Sequence, residues 1–211
     1  SGGEPLLQDP ERLIPLLELL SREKIHVAAE TCLHVPWKNV RMLAPHIDLF
    51  LVDLKVVGDE AQHRKCTHQD ARLIRANVRK LIDLEAGVKF RMVMVPGYND
   101  AERNIVAAAK YLRSLGQHTI ELLKFHSMYE NKAERLGIEL LPLNITNEQA
   151  AASIERTIEV FKRHDIEAEY LAQDAHRRKA VFPERIYEIQ SAIRESGHSL
   201  CFESSKLKTA Y

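Results

Sequence analysis

The segment LFLVDLK, residues 49–55, decides the fold class of this chain. Its first four residues are all apolar, which is typical of a strand buried on both faces of a parallel sheet. Asp53 and Lys55 then follow at the end of the strand. Because side chains two positions apart on a strand point to the same side, this charged pair is predicted to face one common space.

Strand and helix patterns alternate on both sides of this segment. The spacing of apolar residues predicts helices near residues 13–20, 36–43, 73–82, 105–112 and 146–161. Short apolar runs predict further strands at residues 25–29, 88–95, 119–125 and 167–171. Repeated strand–helix units favour an α/β fold with a parallel sheet, as an open or closed barrel. In such folds the carboxyl ends of the strands carry the functional site.

Local signals are expected to mark where helices begin and end. These signals are Gly87 and Gly116 as helix ends, Asn99-Asp100 as a helix cap, and Thr146 with Gln149 as a capping box.

Length and composition restrict the class of function. A chain of 211 residues, 45% of them hydrophobic, is expected to form one domain around a sizeable core. Thirty basic and thirty acidic residues leave no net charge, so neither nucleic acid nor a membrane surface is expected as a partner. No apolar stretch approaches the roughly 20 residues of a membrane span. No export signal is read at residues 1–5, and the cysteines at 32, 66 and 201 fit no disulfide framework, so a reducing cytoplasm is expected.

Polar side chains lie in or at the ends of four predicted strands. They are Glu30 with Thr31, Asp53 with Lys55, Arg91, and His126. Two interpretations of Asp53 with Lys55 stay open: a structural ion pair inside the barrel, or a clamp for the zwitterionic end of an amino acid ligand. A single strand-end histidine is more often structural than catalytic. Four such strands in succession nevertheless favour a polar, inward-facing site.

Five segments, taken in order, identify a resemblance. They are SGGEP at 1–5, Glu30-Thr31, VDLK at 52–55, Arg91 with VPGYND at 95–100, and LLKFH at 122–126. In this order they resemble the pyruvate formate-lyase activating enzyme family, radical S-adenosylmethionine enzymes that act on glycyl radical enzymes. Each motif is weak alone, and their order is the specific part. The resemblance extends from residue 1 to about residue 137.

The resemblance implies a partial barrel of six βα units that binds S-adenosylmethionine. By the family's pattern, Gly2, Gly3 and Glu4 would hold the methionyl amino group, Asp53 and Lys55 would reach the methionyl carboxylate, and His126 would line the nucleoside side. Glu30, Thr31 and Asp53 would lie at a monovalent-cation site. Arg91, Pro96 and Gly97 would border the opening that receives the loop of a partner glycyl radical enzyme.

The family's chemistry also implies a four-iron, four-sulfur cluster held by a CxxxCxxC loop. This sequence contains no such loop, so the cluster is expected only in a full-length parent, and no residue here is assigned a catalytic role. The chain alone is expected to be inactive. The expected fold is a truncated (βα)6 barrel over residues 1–172, without its first two strands, followed by a helical appendage at 173–211. An exposed strand edge is expected to allow self-association.

Two other functions compete with this interpretation. The chain could serve as a non-catalytic structural or ligand-binding fragment. Alternatively, Glu30, Asp53 and His126 could hold a divalent metal in a barrel hydrolase or lyase. Lys55 beside Asp53 would repel such an ion, and a metal site leaves the SGGEP segment unexplained.

Overall fold

The computed structural model describes residues 3–125 and 143–170, and within them five strands form one parallel sheet. The strands are β1 Ala28–Thr31, β2 Leu49–Asp53, β3 Val88–Met94, β4 Thr119–Lys124 and β5 Glu167–Tyr170. Their spatial order is their order in the chain, and each pairs in parallel with the next. The α/β class and the parallel sheet are confirmed, and the open sheet is consistent with a partial barrel.

Helices connect the strands and cover one face of the sheet. They are α1 Pro10–Arg22, α2 Trp37–Leu43, α3 Glu60–Thr67, α4 Arg72–Asp83, α5 Glu102–Ser114 and α6 Asn147–Lys162. The predicted capping box is confirmed, because Thr146 Oγ1 accepts from the Gln149 amide and Gln149 Oε1 accepts from the Thr146 amide. Gly116 follows the end of α5 in the left-handed region, at φ +73°, as predicted.

The two faces of the sheet differ in chemistry. The apolar face consists of strand side chains that are at most 1% exposed and join one core with the helices: Phe50, Val52, Phe90, Met92, Ile120 and Leu122. The other face, called the charged face, carries apolar side chains such as Leu51 and Leu123 together with all of these charged ones: Glu30, Asp53, Lys89, Arg91, Glu121 and Glu169. Neighbouring residues of a strand point to opposite sides of the sheet. The register of the strands therefore fixes which side chains lie on each face.

Two elements in the first third of the chain differ from the sequence-based prediction. The strand predicted at 25–29 begins later, because the carbonyl of Val27 accepts from Asp48 and Leu49 and its amide donates to Asp48 Oδ2 at 2.7 Å. Helix α3 was not predicted. It carries little apolar periodicity, with His63 as its buried residue, and it begins where Asp59 Oδ1 accepts from the Gln62 amide.

Two boundary signals have other roles than predicted. Helix α4 ends at Asp83, and the residue that takes the left-handed conformation after it is Glu85. Gly87 lies against another segment, because a Cβ there would be 2.5 Å from the carbonyl oxygen of Asp48. Gly87 therefore permits a close backbone approach and does not end the helix. Asn99-Asp100 does not cap α5, whose N-cap is Ala101 without a side-chain hydrogen bond.

Several expectations fall on residues that the structure does not describe. Gly2, His126 and the appendage at 173–211 lie outside the described ranges. Within those ranges, none of the helices is long and apolar enough to cross a bilayer.

Candidate functional site

Arg91 is the centre of a charged cluster on the charged face. Its Nη1 donates to Glu30 Oε1 at 3.0 Å, and its Nε and Nη2 donate to Asp53 Oδ1 at 3.2 and 3.0 Å. The register that pairs Asp53 with Arg91 brings the carboxylate and the guanidinium side by side. Burial acts to lower the pKa of Arg91, but its bonds to Glu30 and Asp53 outweigh burial and raise that pKa above its ordinary value.

Lys55 completes the cluster from the loop after β2. Its Nζ lies 3.1 Å from Asp53 Oδ2, so the two oxygens of Asp53 are shared between Arg91 and Lys55. The Asp53 side chain is 22% exposed and that of Lys55 is 39% exposed. The two side chains therefore form an ion pair, although a partly exposed one and not the buried pair of the structural interpretation. It does not exclude the clamp, because an ammonium group carries three donors and can serve a second acceptor.

Glu4 approaches the end of β1 from the other direction. Its Oε2 accepts from the amide of Cys32 at 3.0 Å and from the Cys32 thiol at 3.4 Å, while its Oε1 accepts from the Leu6 amide. Burial is the main cause that raises the pKa of the Cys32 thiol, and Glu4 adds to it, whereas a hydrogen bond with the backbone of His34 and the charge of Lys55 oppose it. The charges of Glu4 and Lys55 thus both act on Cys32.

Cys32 is a site residue that the sequence analysis missed. The sequence assigns it no role beyond fitting no disulfide framework, yet its backbone amide donates to the carboxylate of Glu4. The available signal was its place directly after the strand-end pair Glu30-Thr31. A residue just past a strand end offers an amide that no sheet partner takes.

Thr31 does not join the carboxylates of the cluster. Its side chain is 3% exposed and faces the side opposite to Glu30, and its hydroxyl accepts from the Leu33 amide at 2.9 Å. The structure brings Glu30 and Asp53 together through Arg91, and not through the Thr31 hydroxyl. The monovalent-cation site stays a prediction.

The residues predicted to face a partner occupy two different environments. Pro96 and Gly97 lie in the turn after β3, where Gly97 has φ +81° and a Cβ would have nothing within 4 Å. Arg91 lies within the sheet and is only 9% exposed. Their role toward a partner stays a prediction.

Neither the rival divalent-metal site nor the iron–sulfur cluster finds a complete set of ligands among the residues that the structure describes. In the part of the chain that the structure describes, no three His, Cys, Asp or Glu side chains are grouped as a metal site. Arg91 bridges Glu30 and Asp53, and the third ligand of the rival divalent site, His126, lies outside the description. An iron–sulfur cluster does not fit the residues present, because three widely spaced cysteines provide no CxxxCxxC loop.

The cluster and Glu4 together fit a ligand with both charges of an amino acid. The ammonium of Lys55 suits a carboxylate, and the carboxylate of Glu4 suits an amino group. S-adenosylmethionine carries both groups at its methionyl end. The donor set in this region of the site therefore fits that molecule.

Comparisons with known proteins identify the family of this chain. The family model of the radical SAM superfamily matches residues 1–109. The chain is 32% identical, over 78% of its length and 53% of the relative, to the choline trimethylamine-lyase activating enzyme of Oleidesulfovibrio alaskensis. It is 30% identical, over 75% of its length and 66% of the relative, to the pyruvate formate-lyase-activating enzyme of Staphylococcus aureus.

A solved structure supports the fold independently. A domain of a pyruvate-formate lyase-activating enzyme from Bacteroides vulgatus matches with a TM-score of 0.63 and 27% identity, over 82% of this chain and 96% of that one. The chain spans about half the length of several curated relatives that it matches, between 45% and 53% for the first three. The resemblance to glycyl radical enzyme activating enzymes is confirmed.

Proposed function

Because this chain belongs to the radical SAM superfamily, we propose that it forms the S-adenosylmethionine-binding part of a glycyl radical enzyme activating enzyme. The observation that carries the proposal is the linked set of Glu30, Arg91, Asp53 and Lys55, which lies where strands β1 and β2 end. Glu4 lies beside the same strand ends. An ammonium group and a carboxylate close together can each bind one charge of the methionyl end of S-adenosylmethionine.

In this proposal each charged group has a distinct task. Gly3 and Glu4, with Gly2, receive the methionyl amino group, and Lys55 receives the carboxylate. Asp53 holds Lys55 in place, and Arg91 holds Asp53. His126 lines the nucleoside side, and Glu30, Thr31 and Asp53 border the monovalent cation.

The activity of the whole protein is part of the same proposal. In the full-length protein a four-iron, four-sulfur cluster would supply the electron that cleaves S-adenosylmethionine, and the resulting 5′-deoxyadenosyl radical would take a hydrogen atom from a backbone glycine of the partner enzyme. The cysteines of this chain do not provide the ligands of that cluster. We therefore assign binding and orientation to this chain and no catalytic step. Two free cysteines among the described residues suit the reducing cytoplasm proposed as its location.

Calorimetric titration of S-adenosylmethionine into the 211-residue chain tests the proposal. Replacing Lys55 with Met removes the ammonium and keeps the aliphatic stem, so we expect an affinity loss of about tenfold or more, as for a charge-assisted hydrogen bond. Asp53→Ala is expected to abolish binding, because it frees both Lys55 and Arg91. Lys38→Met, at an exposed position on α2, is the matched control. Equal affinities of the wild type, Lys55→Met and Lys38→Met would refute the proposal.

The proposed function includes two interactions with other protein chains. We propose that Arg91, Pro96 and Gly97 border the opening that receives the loop of a glycyl radical enzyme. We also propose that β1, at the edge of the described sheet, pairs with a second copy of the chain. Sedimentation at high concentration tests the second proposal, and a strictly monomeric profile would exclude it.

A further inference from the structure

Four consecutive residues, 55–58, lie in the segment between Asp53 and helix α3, and buried side chains bind the backbone of each one. The first two residues of this loop, 55–58, present carbonyl groups. Asn99 Nδ2 donates to the carbonyl oxygen of Lys55 at 3.3 Å. His63 Nδ1 lies 2.8 Å from the carbonyl oxygen of Val56.

The last two residues of the loop present amide groups. The amides of Val57 and Gly58 both donate to Asn104 Oδ1, at 2.7 and 3.3 Å. Gly58 also packs closely on α5, because a Cβ there would lie 2.6 Å from the Cβ of Ala107. The loop is therefore fixed by hydrogen bonds at every residue and by contact with a helix.

The same asparagines connect this loop to the turn after β3. Asn104 Nδ2 donates to the carbonyl of Asn99 at 2.7 Å. Asn99 Oδ1 accepts from the Val95 amide, and its Nδ2 also donates to the carbonyl of Val93, both at 2.8 Å. The loop that carries Lys55 and the turn that carries Pro96 and Gly97 are thus held by one network.

Burial indicates what these side chains contribute. His63, Asn99 and Asn104 are 3%, 6% and 4% exposed, and a buried polar group costs free energy unless it is hydrogen-bonded. Because a carbonyl oxygen only accepts, the bond to Val56 assigns the hydrogen of His63 to Nδ1. Its Nε2 is buried and has no partner in the described ranges. An apolar side chain would fill this position without that cost, so the bond to Val56 is what the imidazole adds.

We propose that His63, Asn99 and Asn104 are positioning residues that hold loop 55–58 and thereby fix Lys55 for its ligand. The inference rests on the proposed function, in which Lys55 receives the carboxylate of S-adenosylmethionine. Asp53 holds the ammonium end of Lys55, and the three buried side chains hold the backbone from which it extends. Together they fix both ends of the side chain.

A double-mutant cycle distinguishes positioning from general stability. Asn104→Leu removes both loop bonds at similar volume, and we expect it to weaken S-adenosylmethionine binding about tenfold in the wild type, a loss typical of a mispositioned charged contact. In the Lys55→Met background the same change should reduce the affinity for S-adenosylmethionine by less than about twofold, because there is no ammonium left to misplace. Equal losses in the two backgrounds would overturn the proposal.

Asn77 provides a matched control. It is also an asparagine, it is 0% exposed, and it donates to the carbonyls of Leu33 and Val35 in a different loop. Asn77→Leu should lower stability by a similar amount, yet its effect on binding should be the same in both backgrounds. A coupling of Asn77 to Lys55 as large as that of Asn104 would also overturn the proposal.

Hydrogen exchange without ligand separates this proposal from the proposed function. In Asn104→Leu the amides of Val57 and Gly58 should exchange at least about tenfold faster, whereas in Asn77→Leu they should change only with global stability. If the amides of Val57 and Gly58 stay protected in Asn104→Leu, Asn104 does not hold loop 55–58, and the proposal is refuted even if the ligand binds. Failure of the wild type to bind S-adenosylmethionine would refute the proposed function. Hydrogen exchange would then still test whether Asn104 holds loop 55–58.

A second pair of variants serves if Asn104→Leu does not fold. An asparagine nitrogen can replace Nδ1 of a histidine, whereas a glutamine nitrogen replaces Nε2. His63→Asn should therefore keep the bond to Val56 and the wild-type affinity, and His63→Gln should lose both. The reverse order, or equal affinities for the two variants, would contradict the role of His63.

Discussion

The two faces of the sheet use the same strands for opposite purposes. On β3, Phe90 and Met92 are 1% and 0% exposed among the helices, whereas Lys89 and Arg91 point to the other side and pair with carboxylates. The apolar face is held by burial, which is non-directional and roughly proportional to area. The charged face is held by specific pairs, which depend on register. The first face therefore sets the fold, and the second sets what the fold can bind.

The charged face itself contains two clusters. Near the carboxyl ends, Arg91 and Lys55 share Asp53, and Glu30 is 57% exposed. Deeper along the strands, Lys89 pairs with Glu121, which is 7% exposed, and lies 3.5 Å from Glu169. Both clusters keep partly exposed side chains, since Lys55 is 39% and Lys89 is 36% exposed, so the clusters differ in their partners and not in their exposure.

The largest expected effect comes from the apolar face. Ile120→Ala removes a side chain that is 1% exposed and leaves a cavity, so we expect the free energy of unfolding to fall by about 2–5 kcal/mol. Thr119→Ala, at the exposed neighbouring position, should change it by less than about 0.5 kcal/mol. Urea denaturation of both variants measures the difference. Similar losses would show that the two faces do not differ in their contribution to stability.

An intermediate effect is expected at the centre of the charged cluster. Arg91→Leu leaves Asp53 and Glu30 without their shared partner, and we expect a loss of about 1–3 kcal/mol in the free energy of unfolding. Ligand binding should be lost as well, because Asp53 then moves with Lys55. Arg91→Lys, which keeps one charge, should lose less stability. Unfolding and calorimetry on both variants test this ordering, and an Arg91→Leu variant with wild-type stability would contradict it.

The smallest effect is expected in the deeper cluster, as a change in pH dependence. The hydrogen bond to Glu121 is the main cause that raises the pKa of Lys89 above 10.5, with burial opposing it. A group whose pKa is raised by folding stabilises the protein fully below its unfolded pKa and loses that contribution as pH rises through the folded value. Stability should therefore fall as pH rises above about 10.5, the ordinary lysine value.

Lys89→Met should reduce that alkaline loss of stability. Lys110→Met, at an exposed position on α5, is the control and should keep the slope of the wild type. Urea midpoints from pH 9 upward, in steps of about half a unit, would measure the slopes of the three proteins. Parallel slopes would show that the pair with Glu121 contributes nothing to folding.

Much of the fold was predictable from local pattern. The strands β2, β3 and β4 and the helices around them follow apolar periodicity, and the capping box of α6 follows from two residues three positions apart. Helix α3 was missed because its sequence EAQHRKCT has almost no apolar face. The roles of Gly87 and Asn99 were misjudged, because each depends on a segment distant in the chain.

The candidate site was predicted in part. Asp53 with Lys55 was expected from their spacing, since alternation along one strand is a local property. That Arg91 bridges Asp53 to Glu30, and that Cys32 fixes Glu4, required strands and loops separated by up to 61 residues to meet. No pattern within one segment contains that information.

The sequence by itself determined the α/β class, the order of most elements, the charged strand ends and the absence of a CxxxCxxC loop. These properties depend on residue type and short-range spacing. Only the tertiary structure decided that Arg91 bridges two carboxylates, that Thr31 faces away from them, and that His63, Asn99 and Asn104 meet at loop 55–58. Those contacts depend on strand register and on helix packing over the sheet, which bring together residues that no local spacing relates.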